Sequence, residues 1–279
     1  MPNIQLRPYK KPSMWRKMSL ANWKHPLDPS VYGRLEVDMT NALAYAEAES
    51  QRSGAKVTPT HIVVRGVASA LRRRPGANAM IRLNRVYERQ DVDIFCQVAI
   101  PGDTPDLSGA VIRKADTKLA GDIAQELRDK ALAVREGRDK EFGKSRKSLD
   151  LLPAFLYRPV LWFLAVLQYT LNLDLRFLGL PRDAFGSAMV TSIGSLGIDE
   201  AYAPLVPMSR TPMVISVGKV SDRAVVRDGA VVIRPICVLS ACFDHRIMDG
   251  LTAGKVASEL SAYLADPAAY EQANSQETP

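Results

Sequence analysis

The stretch Phe243-Asp244-His245-Arg246-Ile247-Met248-Asp249-Gly250 limits what this chain can fold into more than any other. A nearly unbroken apolar run, Val231 to Ala241, leads into it, and an apolar-periodic stretch, Leu251 to Leu264, leads out. The first pattern is that of a buried strand and the second that of a helix with one apolar face. His245 then stands where the strand ends, and Asp249 and Gly250 stand where the helix begins. Such a junction can hold a polar side chain rigidly at the mouth of a packed core. These residues alone leave two readings open. His245 is a working group, or it is a neutral histidine hydrogen-bonded in a turn while Asp249 caps the helix.

The rest of the chain alternates between strand-like and helix-like stretches. Tyr32 to Thr40 alternates as a strand does, with Leu35 and Val37 on one face and Glu36 and Asp38 on the other. Asn41 to Ser53 reads as a helix ended by Gly54. Thr58-Pro59-Thr60 opens a second helix that ends in Arg72-Arg73-Arg74, a solvated end suited to a helix C-terminus. Ile81 to Val86 and Val92 to Ile100 read as strands, and Ala110 to Arg113 as an extended run. Lys118 to Arg138 is amphipathic, and a highly charged linker runs from Arg135 to Lys147. Arg227-Asp228-Gly229-Ala230 reads as a hairpin turn.

The formal charge of +7 favours anionic ligands but does not by itself separate small phosphates from nucleic acid or membrane. No zinc-ligand cluster, glycine-rich phosphate loop or nucleic-acid motif stands out, so neither a metal nor a nucleic acid is expected. The cysteines are Cys96, Cys237 and Cys242, an odd number without the look of a secreted disulfide framework. Cys242 lies three residues before His245 and invites a Cys–His nucleophile reading. Against it, Cys242 and Phe243 face opposite sides of a strand, and a buried cysteine is usually a small hydrophobe.

His245-x-x-x-Asp249-Gly250, preceded by Phe243-Asp244, resembles the signature of the dihydrolipoyl acyltransferase catalytic domain. That domain is the core of 2-oxo acid dehydrogenase complexes and is related to chloramphenicol acetyltransferase. Four further stretches carry the resemblance: Trp15-Arg16-Lys17, Asp38-Met39-Thr40, Asp103-Thr104-Pro105-Asp106 followed by Val111-Ile112-Arg113-Lys114-Ala115-Asp116, and Thr191-Ser192-Ile193-Gly194. It covers roughly Trp15 to Pro267. Two details depart from it. Leu107-Ser108-Gly109 displaces the glycine after the turn, and Thr191-Ser192 stands where the family has Ser-Asn.

The resemblance implies an α/β fold, a chloramphenicol acetyltransferase-like two-layer sandwich with a mixed β-sheet and flanking helices. It implies His245 as the general base that takes a thiol proton, and Thr191 as the hydroxyl that stabilises the transition state. A one-residue slip would give Ser192 that role. It implies Asp249 as an orienting group that pairs with Arg16, and Gly250 as room for close backbone packing. Coenzyme A or acyl-coenzyme A would be a substrate, with a lipoyl group supplied by a separate protein. The implied assembly is a homotrimer whose sites lie between subunits. No lipoyl-bearing domain precedes the core in this sequence, so a lipoylated carrier protein or a dehydrogenase complex is the expected partner. The polar C-terminal residues suggest an isolated trimer.

The expected organisation is a basic arm over 1–14, a catalytic domain over 15–267 and a polar mobile tail over 268–279. The catalytic domain is interrupted by an apolar helical insertion over 149–182, where the family is short and polar. Arg158 and Pro159 break the insertion's apolar run, so it does not read as a membrane span. It packs as an added lobe, contacts a subunit or partner, lies on a membrane surface, or lines an acyl pocket. The N-terminus lacks a secretory pattern, so the location expected is cytoplasmic, with a membrane-peripheral place open. The alternative to an enzyme is a non-catalytic acyltransferase-like scaffold whose apolar insertion binds a partner protein or a membrane surface.

Overall fold

The apolar run before His245 is a single fifteen-residue strand, Ala230–Asp244. The structure is a computed structural model that describes residues 2–8, 12–14, 17–18, 28–99, 107–136 and 153–277. In chain order its elements are β1 (Leu6–Pro8), β2 (Ser30–Asp38), α1 (Thr40–Ser53), α2 (Pro59–Arg73), β3 (Ala79–Arg82), β4 (Arg85–Arg89), β5 (Ile94–Ala99), β6 (Leu107–Ile112), α3 (Ala120–Arg135), α4 (Ala154–Ala165), β7 (Ala188–Ser192), β8 (Met213–Val217), β9 (Ser221–Arg227), β10 (Ala230–Asp244), α5 (Gly250–Ala265) and α6 (Pro267–Glu277).

β10 is the spine of a mixed sheet in the order β2-β10-β8-β7-β5-β6. Its first half pairs with β9 through a hairpin whose central residues, Asp228 and Gly229, both have positive φ, as a two-residue type I′ turn requires. Its second half pairs antiparallel with β2 on one side and β8 on the other. β8–β7 and β7–β5 are parallel, and β5–β6 is antiparallel.

Helices α1, α2, α3 and α5 cover one face of this sheet. Val190, Ile215, Val217, Cys237 and Leu239 point into them and share one core with Ile62, Val67, Ile123 and Leu260. α2 is its centre and is buried along most of its length. It approaches α5 so closely that a Cβ on Gly66 would stand 2.7 Å from Tyr263 and 2.8 Å from Leu260. Strand alternation sends Thr191, Ser216 and Ser240 to the opposite face.

A second, smaller sheet, β1-β4-β3, lies beside the first. Ile4 and Met80 from its neighbourhood pack with Ala165 and Tyr169 in a core of their own. The apolar segment therefore does not pack only on itself, as an added lobe would. It docks α4 and a following π-turn, Val166–Thr170, onto the N-terminal strand region.

Several expectations need correction. The single strand expected over Ile81 to Val86 is a hairpin, β3 to β4, turning at Leu83 and Asn84 with φ of 47 and 57. No glycine marks the turn, and asparagine is the residue there that tolerates a left-handed backbone. The expected mobile tail is helix α6. Asp266 accepts from the Ala269 N–H at 3.0 Å and caps it, Glu271 pairs with Arg65 at 2.8 Å, and the Tyr270 ring meets Tyr263 edge-on. The three arginines at the end of α2 are not simply solvated. Arg72 pairs with Asp116, Arg73 donates to Asn274, and Arg74 pairs with Glu259.

Candidate active site

β10 ends at Asp244, and a five-residue turn, 245–249, leads to α5. The turn is held at every step. The Asp244 N–H donates to the Pro212 carbonyl at 2.9 Å, and the His245 N–H to the Pro29 carbonyl at 2.9 Å. The Ile247 and Met248 N–H groups fold back on the Asp244 carbonyl, and both side chains are buried. Asp28 fixes the position of Pro29 by accepting from the Ser30 N–H at 3.0 Å and the Ser30 hydroxyl at 2.6 Å. His245 is half-buried on this frame. Its neighbours neutralise each other, because Arg246 grips the Asp244 carboxylate through its own N–H, Nε and Nη2, the last at 2.7 Å.

Asp249 is the N-cap of α5. Its Oδ1 accepts from the Thr252 N–H at 2.8 Å and the Thr252 hydroxyl at 2.6 Å. That is the capping role allowed for from the residues alone. Its expected partner Arg16 lies outside the described residues, as do Trp15 and His25. Gly250 does not serve close packing within the chain. It is exposed at the first position of α5, and a Cβ there would meet nothing within 4 Å.

The remaining described histidine, His61, is structural. Its Nδ1 accepts from the Thr58 N–H at 3.0 Å to close a capping box at the start of α2, and burial pushes its pKa down to about 4. The Cys–His nucleophile reading fails on chemistry. Cys242 is fully buried, and burial pushes its thiol pKa up, opposite to what activates a thiolate.

Thr191 stands on β7, on the sheet face away from the helices. Its hydroxyl donates to Gln97 Oε1 at 2.8 Å. Ser192 shares the helix-side face with Val190 and Val217, so the backbone alternation leaves Thr191 as the hydroxyl on the open side. Thr191 is registered with Ser216, and Ser216 with Ser240. His245 is five residues beyond Ser240, about 16 Å along the strand, and two strands from Thr191, about 10 Å across the sheet. One chain therefore does not bring Thr191 and His245 together.

A groove of about 1150 Å³ runs past the His245 turn. It is walled by Leu161, Trp162 and Ala165 of α4 and by the 205–211 loop, with Pro29, Asp244, Arg246 and Ile247 at its base. Sequence reasoning did not foresee Gln97 or Arg210 here. Gln97 carried a signal, as the polar residue within the apolar strand Ile94–Ala99. Arg210 carried none, because the 205–211 loop approaches the turn only through the fold.

A family model described as 2-oxoacid dehydrogenases acyltransferase (catalytic domain) matches residues 5–142 and 183–271 and leaves 143–182 unmatched. The dihydrolipoyllysine-residue acetyltransferase component of the pyruvate dehydrogenase complex of Bacillus subtilis is 27% identical over 255 residues, covering 89% of this chain and 47% of that protein. The chain spans about half the length of the curated relatives it matches. Among solved structures, the dihydrolipoamide acetyltransferase of Azotobacter vinelandii superposes with a TM-score of 0.63 at 20% identity, over 90% of this chain and 86% of that one. The roles of a serine, a histidine and an asparagine in its catalytic mechanism have been investigated. A chloramphenicol acetyltransferase superposes at 0.52 with 13% identity, over 93% of this chain and 100% of that one. These likenesses show the same fold, an α/β sandwich with a mixed sheet and flanking helices.

Proposed function

The chain belongs to the 2-oxoacid dehydrogenases acyltransferase (catalytic domain) family, and on that premise we propose that it moves an acyl group between coenzyme A and a thiol such as a dihydrolipoyl group on a separate carrier protein. The observation that carries this reading is the clamped presentation of His245 at the end of β10, inside the matched region. A free thiol has a pKa of about 8.5 and an imidazole about 6.5, so a positioned histidine can accept the thiol proton near neutral pH. His245 takes that proton as the sulfur attacks the thioester carbonyl. The tetrahedral intermediate collapses by breaking the bond to the departing sulfur. The imidazolium then returns its proton to the departing thiolate.

Negative charge grows on the carbonyl oxygen, and Thr191 supplies the donor for it. A half-turn of the Gln97 amide makes its NH₂ the donor to Thr191 Oγ1 and frees the hydroxyl proton for that oxygen. Since His245 and Thr191 of one chain lie far apart in register, the working site takes one from each of two neighbouring copies in a homotrimer. Asp249 keeps its capping role and pairs with Arg16, which orients the turn. The expected partner is a lipoylated protein of a 2-oxo acid dehydrogenase complex, and the expected location is cytoplasmic. Among the described residues no helix is long and apolar enough to cross a membrane.

The test is acyl transfer from acetyl-, propionyl- and longer acyl-coenzyme A to dihydrolipoamide. His245→Ala is expected to lower the rate by about 10²–10⁴-fold. Equal rates in wild type and variant would remove His245 from the chemistry.

A further inference from the structure

The groove beside the His245 turn is built partly from residues the family model does not match. Its α4 wall falls within 143–182, the unmatched interval. The walls are apolar where Leu161 and Trp162 face Val206 and Met208, with Ile247 at the base. Its volume of about 1150 Å³ far exceeds what a two-carbon acyl group fills. It lies somewhat above the range of ordinary ligand pockets, roughly 300–1,000 Å³. Trp162 remains 68% exposed on its wall, an apolar surface that a chain laid in the groove would cover.

The groove's charged lining is Arg158, Arg210, Asp244 and Arg246, the last two flanking His245 in sequence. Arg246 is engaged by Asp244 there, whereas Arg210 makes no ion pair among the described residues. The Arg210 Nε is buried and has no hydrogen-bond partner. A buried donor left unpaired is costly, so a ligand oxygen that reached it would be favoured there. Burial, and then the proximity of Arg246, lower the pKa of Arg210, which agrees with a partly desolvated guanidinium. Its backbone is held at a φ of 54, a left-handed conformation unusual for arginine.

We propose that this groove is an acyl-chain subsite, and that the donor carries an extended apolar chain lying along α4 with its carboxyl-level end toward Arg210 and His245. The assignment rests on the acyl-transfer reading for its reaction, and on the groove alone for its ligand. A flat membrane does not present a carboxyl oxygen at the inner end of a groove. A chain of methylenes ending in a carboxyl or thioester group matches both the apolar walls and the Arg210 guanidinium, whose Nε is buried without a partner.

The test reads Trp162 directly. In a Trp15→Phe, Trp23→Phe background it is the sole remaining tryptophan. Straight-chain carboxylates of roughly two to twelve carbons are titrated against that protein while its emission is followed. Emission is expected to shift to the blue, and Kd to fall about two- to fourfold per added methylene until the groove is filled. Arg210→Leu is expected to weaken the carboxylates about tenfold and leave n-alcohols of equal length unchanged. Alcohol binding also reports that this variant is folded.

A Kd independent of chain length overturns the proposal, as does equal weakening of acids and alcohols by Arg210→Leu. A Trp162 shift that appears with protein concentration or with anionic vesicles, and not with carboxylates, assigns the surface to a second copy or a membrane and also overturns it. Acetyl transfer that depends on His245, with no chain-length response, sinks the subsite alone. Chain-length-dependent binding in a protein that transfers no acyl group upholds the subsite and overturns the acyl-transfer reading.

Discussion

At the residue scale, position in the chain announced His245, and the fold explains what holds it. A histidine between an apolar strand and an apolar helix was legible. Its anchors were not, because Pro29 and Pro212 meet the turn only after β2 and β8 have paired with β10. Asp249 was legible as the cap of α5, and two substitutions separate that cap from the orienting role proposed for it. Asp249→Ala is expected to cost about 1 kcal/mol of stability through the lost cap. Asp249→Asn keeps a capping oxygen, so it restores stability. If the carboxylate also orients the site through a cation, the asparagine variant stays slow in acyl transfer although it is stable. Rescue of both would reduce Asp249 to a cap. Thr191→Val is expected to lower the turnover rate by about 10²–10³-fold with the fold intact, whereas Thr191→Ser retains activity. Normal turnover by the valine variant would contradict the role assigned to Thr191. His61 gives a separate prediction. Burial lowers its folded pKa to about 4 from the ordinary 6.5, so folding favours the neutral ring. Its contribution is full above pH 6.5, falls as the pH drops from 6.5 toward 4, and changes no further below that. His61→Gln preserves an acceptor for the Thr58 N–H and is expected to flatten the Tm profile in that window. An unchanged profile would contradict the assignment.

At the element scale, the strongly patterned segments read true and the weakly patterned ones did not. β10, α1, α2 and the β9–β10 hairpin follow from apolar periodicity and from Gly54 and Asp228-Gly229. The β3–β4 turn was hidden because Leu83 occupies a left-handed position without glycine. Leu83 is also 65% exposed, so Leu83→Gly removes strain without losing a buried contact. It is expected to be neutral or to stabilise by up to about 1 kcal/mol in a urea melt, and a clear loss would contradict the strain. α6 was hidden because its anchoring contacts, Tyr270 on Tyr263 and Glu271 on Arg65, are tertiary. Gly66 is the opposite case, a glycine inside a helix that sequence alone would count as a weakness. Gly66→Ala improves helix propensity yet places a methyl against Tyr263 and Leu260. It is expected to destabilise by about 1–3 kcal/mol, because overpacking outweighs propensity.

At the scale of the whole molecule, the sheet register carries the consequence that no single motif could. It puts Thr191 and His245 at separate points of one chain, with the five-residue step from Ser240 to His245 and two inter-strand steps between them. A site that uses both groups is therefore assembled from two copies. The α/β architecture and the family were legible from short motifs, and the resemblance already implied a site between subunits; the register that separates Thr191 from His245 was not legible, since it depends on how β7, β8 and β10 align. The role of the apolar segment was equally beyond the sequence. Its position at the His245 groove depends on docking α4 through Ala165 and Tyr169 onto Ile4 and Met80. The shared site is tested most directly by complementation. His245→Ala and Thr191→Val chains are each purified, mixed in equal amounts, dissociated, reassembled and assayed for acyl transfer to dihydrolipoamide. Random assembly gives intact His245–Thr191 pairs at about a quarter of the interfaces, so about a quarter of wild-type activity is expected from two nearly inactive parents. Activity no higher than that of the parents, in a mixture whose wild-type control regains full activity, would contradict a site shared between copies.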